Sequence, residues 1–160
     1  MASELHDSPG VIARPPRIFL GFLAAGLVLD RLWPAVSAAQ LFGGALRFVP
    51  ALVLFATGVI TMTIAIRQFS AAGTNVPAPL PAKTLVTDGI YSRTRNPIYV
   101  SMILIYSGIA IAAASTWSFV LLVPVLMIIR YGVIAREERY LDRKFGPPYI
   151  EYRRRVRRWV

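Results

Sequence analysis

The sequence predicts an all-α integral membrane protein: about four transmembrane helices followed by a C-terminal cytoplasmic amphipathic helix. Three observations predict it. Of 160 residues, 56% are hydrophobic and only 16% are charged, and long runs carry no charge at all, as membrane-crossing helices of about 20 residues require. A Gly-containing loop, a proline-rich connector and the Ala114–Trp117 turn divide those runs into helix-sized pieces. The chain's formal charge is +10, and its basic residues fall before the first apolar run, in one central segment and in the C-terminal tail, the distribution expected of cytoplasmic loops and tails.

The chain reads as a single domain, residues 1–160, in five parts. These are a polar tail (1–17), two spans (18–69), a cytoplasmic connector (70–97), a helical hairpin (98–134) and cytoplasmic helices (135–160). Acids and prolines precede the first apolar run, so the N-terminus does not read as a cleavable signal. Cysteine is absent, which excludes disulfides, thiol nucleophiles and thiolate metal sites. The single histidine, His6, lies in the polar tail, and no metal site is expected. In a membrane chain the arginine excess points to topology and anionic lipid rather than to nucleic acid.

The first span begins near Ile18 and ends near Trp33. Asp30 and Arg31 are expected to pair at the interface beside Trp33, with a polar interior for Asp30 as the alternative. The second span covers roughly Leu46 to Ile66. Pro77, Pro79 and Pro81 then alternate, and such spacing forbids a helix, so an extended connector follows.

That connector delivers the long polar stretch KTLVTDGIYSRTRNPIY, Lys83 to Tyr99. It holds an Asp88-Gly89 turn, Arg93 and Arg95, and it ends in Asn96-Pro97. Asn suits an N-cap and Pro the first helical position, so the pair starts the third helix. Two readings stay open: a capping loop alone, or a ligand loop, since a helix N-terminus presents unpaired N–H groups to an anion.

No charge interrupts Ile98 to Ile129, which is too long for one span. Ala114-Ser115-Thr116-Trp117 predicts a tight hairpin between spans Ile98–Ala114 and Trp117–Ile134. Ser101, Gly108, Ala112 and Ser115 offer a small-residue face for close packing. Basic residues avoid the first and third loops, so both termini and the Lys83–Tyr99 stretch are expected in the cytoplasm.

The fourth helix continues outward, and α-helical spacing places Arg130, Ile134, Glu137 and Leu141 on one face. An arginine inside the apolar run needs either a partner or a route to the headgroups. Glu137 and Glu138 read either as site residues or as a solvated pair. Phe145-Gly146-Pro147-Pro148 stops the helix. Beyond it, Tyr149, Tyr152, Val156 and Trp159 form one side and five arginines the rest, an interfacial helix suited to anionic headgroups.

Two motifs now stand in order, LVTDGIYSRTRNPIY and, about forty residues later, EERYLDRKFGPPYIEYRRRV. Together they resemble the isoprenylcysteine carboxyl methyltransferase and phospholipid methyltransferase superfamily of membrane enzymes. That family shows a G-x-Y turn, an Arg-His-Pro-x-Tyr element, a hairpin, then Glu-Glu-x-x-Leu and Phe-Gly-x-x-Tyr-x-x-Tyr. The resemblance runs from Gly73 to Val156.

The resemblance implies S-adenosylmethionine as methyl donor, with S-adenosylhomocysteine as product. It places Lys83, Thr84, Leu85 and Val86 on the adenosine side, then Tyr91, then Asn96, Pro97, Ile98 and Tyr99. Glu137 would hold the ribose or the amino group; Glu138 joins the cofactor residues but is expected to matter less. Arg130 and Arg95 are the candidate catalytic residues, Arg130 to orient the acceptor. Asn96 stands where the family has histidine, and an amide cannot take up a proton.

Since a carboxylate nucleophile needs no base, these residues favour O-methylation of a lipid-like carboxylate. Phosphatidylethanolamine-type N-methylation is the rival. A non-enzymatic membrane scaffold is the competing class, and a small transporter fits less well because no paired broken helices appear.

Overall fold

A computed structural model describes residues 10–34, 44–74 and 80–159. His6, Pro77 and Pro79 lie outside the described residues. All regular structure among those described is helical. Helix α1 is Pro15–Leu32, α2 Phe48–Ala71, α3 Pro97–Ala112, α4 Thr116–Met127, α5 Ala135–Phe145 and α6 Pro147–Arg155. Between α4 and α5 a seven-residue π-helix, Ile128–Ile134, keeps the axis continuous.

Among the described residues two helices are long and apolar enough to cross a membrane, Ala45–Ala71 and Thr116–Phe145. The second is apolar only to Ile134; its last part, AREERYLDRKF, is dense with charge. Helix α3 is apolar but has 16 residues, and α1 has 18 that include Arg17, Asp30 and Arg31.

Helix α2 packs mainly on α3, and α1 mainly on α4. The first pair can approach closely because Gly108 has no side chain. A Cβ there would come within 2.8 Å of the Ala51 carbonyl oxygen, which is the close backbone contact that small residues permit in membrane bundles. The outer side of α2 exposes Val49, Leu52, Val53 and Ile60, a face that suits lipid. Phe19, Leu23, Tyr106, Val125, Ile129, Val133 and Ile134 make the main core.

The hairpin turn is tight. Helix α3 closes with Ala114 N–H donating to the Ile111 carbonyl and Ser115 N–H to that of Ala110, both at 2.9 Å, the pattern of a Schellman cap. Ala114 takes the left-handed position, φ 51°, usually given to glycine. Ser115 then caps α4 by accepting from Ser118 N–H at 3.1 Å.

Asp30 corrects one expectation. Its half-buried carboxylate accepts from the Ser115 hydroxyl, so at the end of α1 its partner is the hairpin turn and not the exposed Arg31. A half-buried carboxylate gains more from a fixed hydroxyl than from a flexible exposed arginine.

Candidate functional site

At the other end of the bundle, one cavity collects residues from both motifs. With its open mouth it encloses about 840 Å³. The chain builds it from α2 onward. Helix α2 ends in a Schellman cap at Gly73, φ 65°, where Thr74 N–H reaches the Phe69 carbonyl at 3.1 Å. That turn buries Thr74, whose hydroxyl oxygen accepts from Lys83 N–H at 2.9 Å and Thr84 N–H at 3.4 Å. The extended segment 83–86 is thereby laid along the cavity edge.

A short 3-10 turn, Gly89–Ser92, follows. It buries Tyr91, whose ring stacks on Phe69 with centroids 4.7 Å apart. Asn96 takes the N-cap position with Pro97 at the first turn, yet its side chain makes no capping bond. Instead Asn96 Nδ2 donates to the Arg158 carbonyl at 2.9 Å. The expected start of α3 is correct in place and different in chemistry, because the folded tail offers the amide a partner.

The cavity wall includes Thr84, Leu85, Val86, Tyr91, Arg95, Asn96, Pro97, Ile98, Tyr99, Glu137 and Glu138. Two expected residues stand elsewhere. Lys83 contributes its backbone to Thr74 while the residue is exposed. Arg130 is exposed, with its guanidinium over the Tyr131 ring at 5.4 Å. The π-helix is the cause. Its i→i+5 bonding changes the phase of the chain, so a face drawn with α-helical spacing from Arg130 to Glu137 does not survive the crossing.

The same phase change revises Glu138. Glu137 and Glu138 are both buried, at 8% and 9% exposure, and neither forms a solvated flank. Glu137 Oε1 accepts from the Tyr99 hydroxyl at 2.8 Å. Burial pushes the Glu137 carboxyl up to about 7; the Tyr99 bond opposes the rise and the charge of Glu138 adds to it. Glu138 meets two arginines. Arg158 grips it with two bonds, Nε to Oε1 at 3.0 Å and Nη2 to Oε2 at 2.6 Å. Arg95 Nη1 lies 3.0 Å from Oε1, a charge contact without hydrogen-bond alignment, and Arg95 Nε is buried with no hydrogen-bond partner among the described residues.

Residues absent from the expected set also line the cavity: Phe69, Thr74, Leu80, Ala82, Tyr140, Leu141, Tyr149 and Tyr152. The tyrosines revise where the aromatic side of the tail helix goes. The aromatic side of α6 is buried against the protein itself, with the Tyr152 hydroxyl donating to the Tyr91 carbonyl at 2.7 Å. Burial pushes the Tyr149 hydroxyl up to about 12 and raises those of Tyr91 and Tyr152, so all three stay neutral donors. Their signal was in the Phe-Gly-x-x-Tyr-x-x-Tyr spacing, where both tyrosines share a side. An amphipathic pattern shows that a face is buried without saying against what.

In chemical terms the site offers a mostly apolar and aromatic wall, two carboxylates, and one arginine edge. Among the described residues no cluster of histidine, aspartate or glutamate could hold a metal ion. A family model described as "Phospholipid methyltransferase" matches residues 46–148. An "Uncharacterized protein" of Haemophilus influenzae is 33% identical over 63 residues, which are 39% of this chain and the whole of that protein. No solved structure matches the chain.

Proposed function

The chain belongs to the phospholipid methyltransferase family, and from that premise we propose that it moves a methyl group from S-adenosylmethionine to a lipophilic acceptor at the membrane. The observation that carries this reading is a cavity in which the Arg95–Tyr99 and Glu137–Glu138 segments meet. The chemistry of its wall fits the methyl donor. Apolar and aromatic groups such as Phe69, Leu85 and Val86 suit an adenine ring. The Glu137 carboxylate, whose one side-chain bond is to a tyrosine, suits ribose hydroxyls or an ammonium group. The unpartnered Nε of Arg95 suits a carboxylate.

When bound, S-adenosylmethionine supplies an electrophilic methyl group: an acceptor lone pair bonds to carbon as the carbon–sulfur bond breaks and its electrons neutralise the sulfonium. The protein's own part is alignment and exclusion of water. Tyr99 holds Glu137, Arg158 and Arg95 hold Glu138, and the 83–86 segment forms one edge.

One observation supports an amine acceptor of the phosphatidylethanolamine type over a carboxylate. Arg130, the residue reserved for orienting a carboxylate, is exposed and away from the cavity. The apolar outer face of α2 supports a bilayer setting, in which four spans put both termini and the cavity on the cytoplasmic side. The arginines of α6 that face outward, Arg154 and Arg155 among them, would then meet anionic headgroups.

Calorimetry of the purified protein with S-adenosylmethionine tests the first step, and a labelled-methyl assay on lipid extract tests the acceptor. Folded protein that binds no methyl donor at millimolar concentration overturns the proposal. Labelled product in the acidic-lipid fraction alone favours the carboxylate reading. A reporter fused to the C-terminus tests the topology, which fails if the tail is reached from outside.

A further inference from the structure

We propose that Arg158, from the tail beyond the matched family region, is a positioning residue of the cavity: it holds Glu138 so that Arg95 keeps a free edge for an anionic group of the ligand. The inference rests on the reading above and adds to it a residue that no part of the family match contains, since the match ends at residue 148.

The tail is held by its backbone. Arg95 N–H donates to the Arg157 carbonyl at 3.0 Å. The Thr94 hydroxyl and Asn96 Nδ2 both donate to the Arg158 carbonyl, at 3.2 and 2.9 Å. Trp159 packs against the main core. These four contacts deliver the Arg158 side chain to Glu138 without using its guanidinium. Asn96, standing in the family's histidine position, is one of the anchors.

Once there, Arg158 takes both oxygens of Glu138 in a fork, the arrangement that a planar guanidinium and a carboxylate prefer. Arg95 has one poorly aligned contact to Oε1 and a side-chain hydrogen bond with Tyr149, neither of which engages its Nε. Its side chain is only 10% exposed, it lines the cavity, and its Nε has no partner among the described residues. Two guanidiniums share the one carboxylate of Glu138, so Arg95 is only partly compensated beside the cavity wall. Without Arg158, the same preference would draw Arg95 into the fork with Glu138 and remove its free edge. The group this arrangement suits is the carboxylate at the amino-acid end of the methyl donor.

The experiment uses full-length protein and two ligands that share the adenosine and thioether. S-adenosylhomocysteine carries the amino-acid end; 5′-methylthioadenosine lacks it. Calorimetry on Arg158→Ala is expected to show S-adenosylhomocysteine weakened about tenfold, with 5′-methylthioadenosine changed less than twofold. Arg158→Lys, which restores charge but not the fork, should fall between. The thermal midpoint reports folding, and if Arg158→Ala is unstable, Arg158→Gln must show the same split. Equal weakening of both ligands would make the tail a structural prop and overturn the inference, as would no change in either. Wild-type protein that binds neither ligand overturns the proposed function and this inference with it, whereas a failure confined to the variants overturns the inference alone.

Discussion

The Tyr99 hydroxyl donates to Oε1 of Glu137 at 2.8 Å, across 38 residues of sequence. That bond ties the first turn of α3 to the first turn of α5 and leaves the rest of the carboxylate facing the cavity. Charge-assisted hydrogen bonds to such a group contribute about 1.5–3 kcal/mol. Glu137→Gln is therefore expected to weaken methyl-donor binding by about ten- to a hundredfold, measured by calorimetry. Glu138→Gln should differ in kind. It leaves Arg95 and Arg158 uncompensated, at a cost of about 1–3 kcal/mol with partly exposed Arg158 free to rehydrate, so its thermal midpoint should fall further than that of Glu137→Gln. Equal midpoints in the two variants would contradict the double arginine grip.

Affinity should depend on pH near neutrality. Burial raises the Glu137 carboxyl from its ordinary 4.5 to about 7. The sign follows from linkage: the folded, ligand-free protein favours the protonated acid, so this group's contribution to stability is greatest below about pH 4.5 and is lost as pH rises towards 7. A cationic methyl donor needs the ionised form. Its affinity should therefore fall as pH drops below about 7, by up to about tenfold per unit. Glu137→Gln should flatten that dependence; an unchanged slope in this variant would assign the titration to another group.

Arg95 and Arg130 should separate cleanly. Arg95 lines the cavity and Arg130 is exposed over Tyr131. Arg95→Gln is expected to reduce methyl-donor affinity at least tenfold, while Arg130→Gln leaves it within about twofold. A reversed order would mean that the π-helix does not set the phase between Arg130 and Glu137.

Ala114 is the one described non-glycine residue with positive φ. The left-handed conformation costs an L-residue about 1–2 kcal/mol. Ala114→Gly relieves that strain but increases the freedom of the unfolded chain by about 0.4–1 kcal/mol. The net expectation is a modest rise in thermal midpoint with methyl-donor affinity unchanged, since the turn lies at the opposite end of the bundle from the cavity. A lowered midpoint would argue against the Schellman geometry.

Much of this protein was legible residue by residue. Uncharged runs located α1 to α4 within a few positions, because helix length and hydropathy are local properties of the chain. Asn96-Pro97 marked a helix start, Ala114–Trp117 a turn, and Gly146 with two prolines a stop, since the capping preferences act within one turn. The ordered motifs also named most of the cavity wall before its shape was known.

What lay beyond reach has a common physical origin. The sequence carries no mark of where helical bonding widens from i→i+4 to i→i+5, so α-helical spacing across Ile128–Ile134 put Arg130 beside Glu137 and left Glu138 outside. Likewise the aromatic side of α6 announces that it will be buried, but a bilayer and the protein's own cavity are equally apolar destinations. Only the tertiary structure turned Tyr149 and Tyr152 inward and drew Arg158 back over 20 residues to Glu138, because pairing of distant groups depends on where the intervening chain is folded and not on its local period.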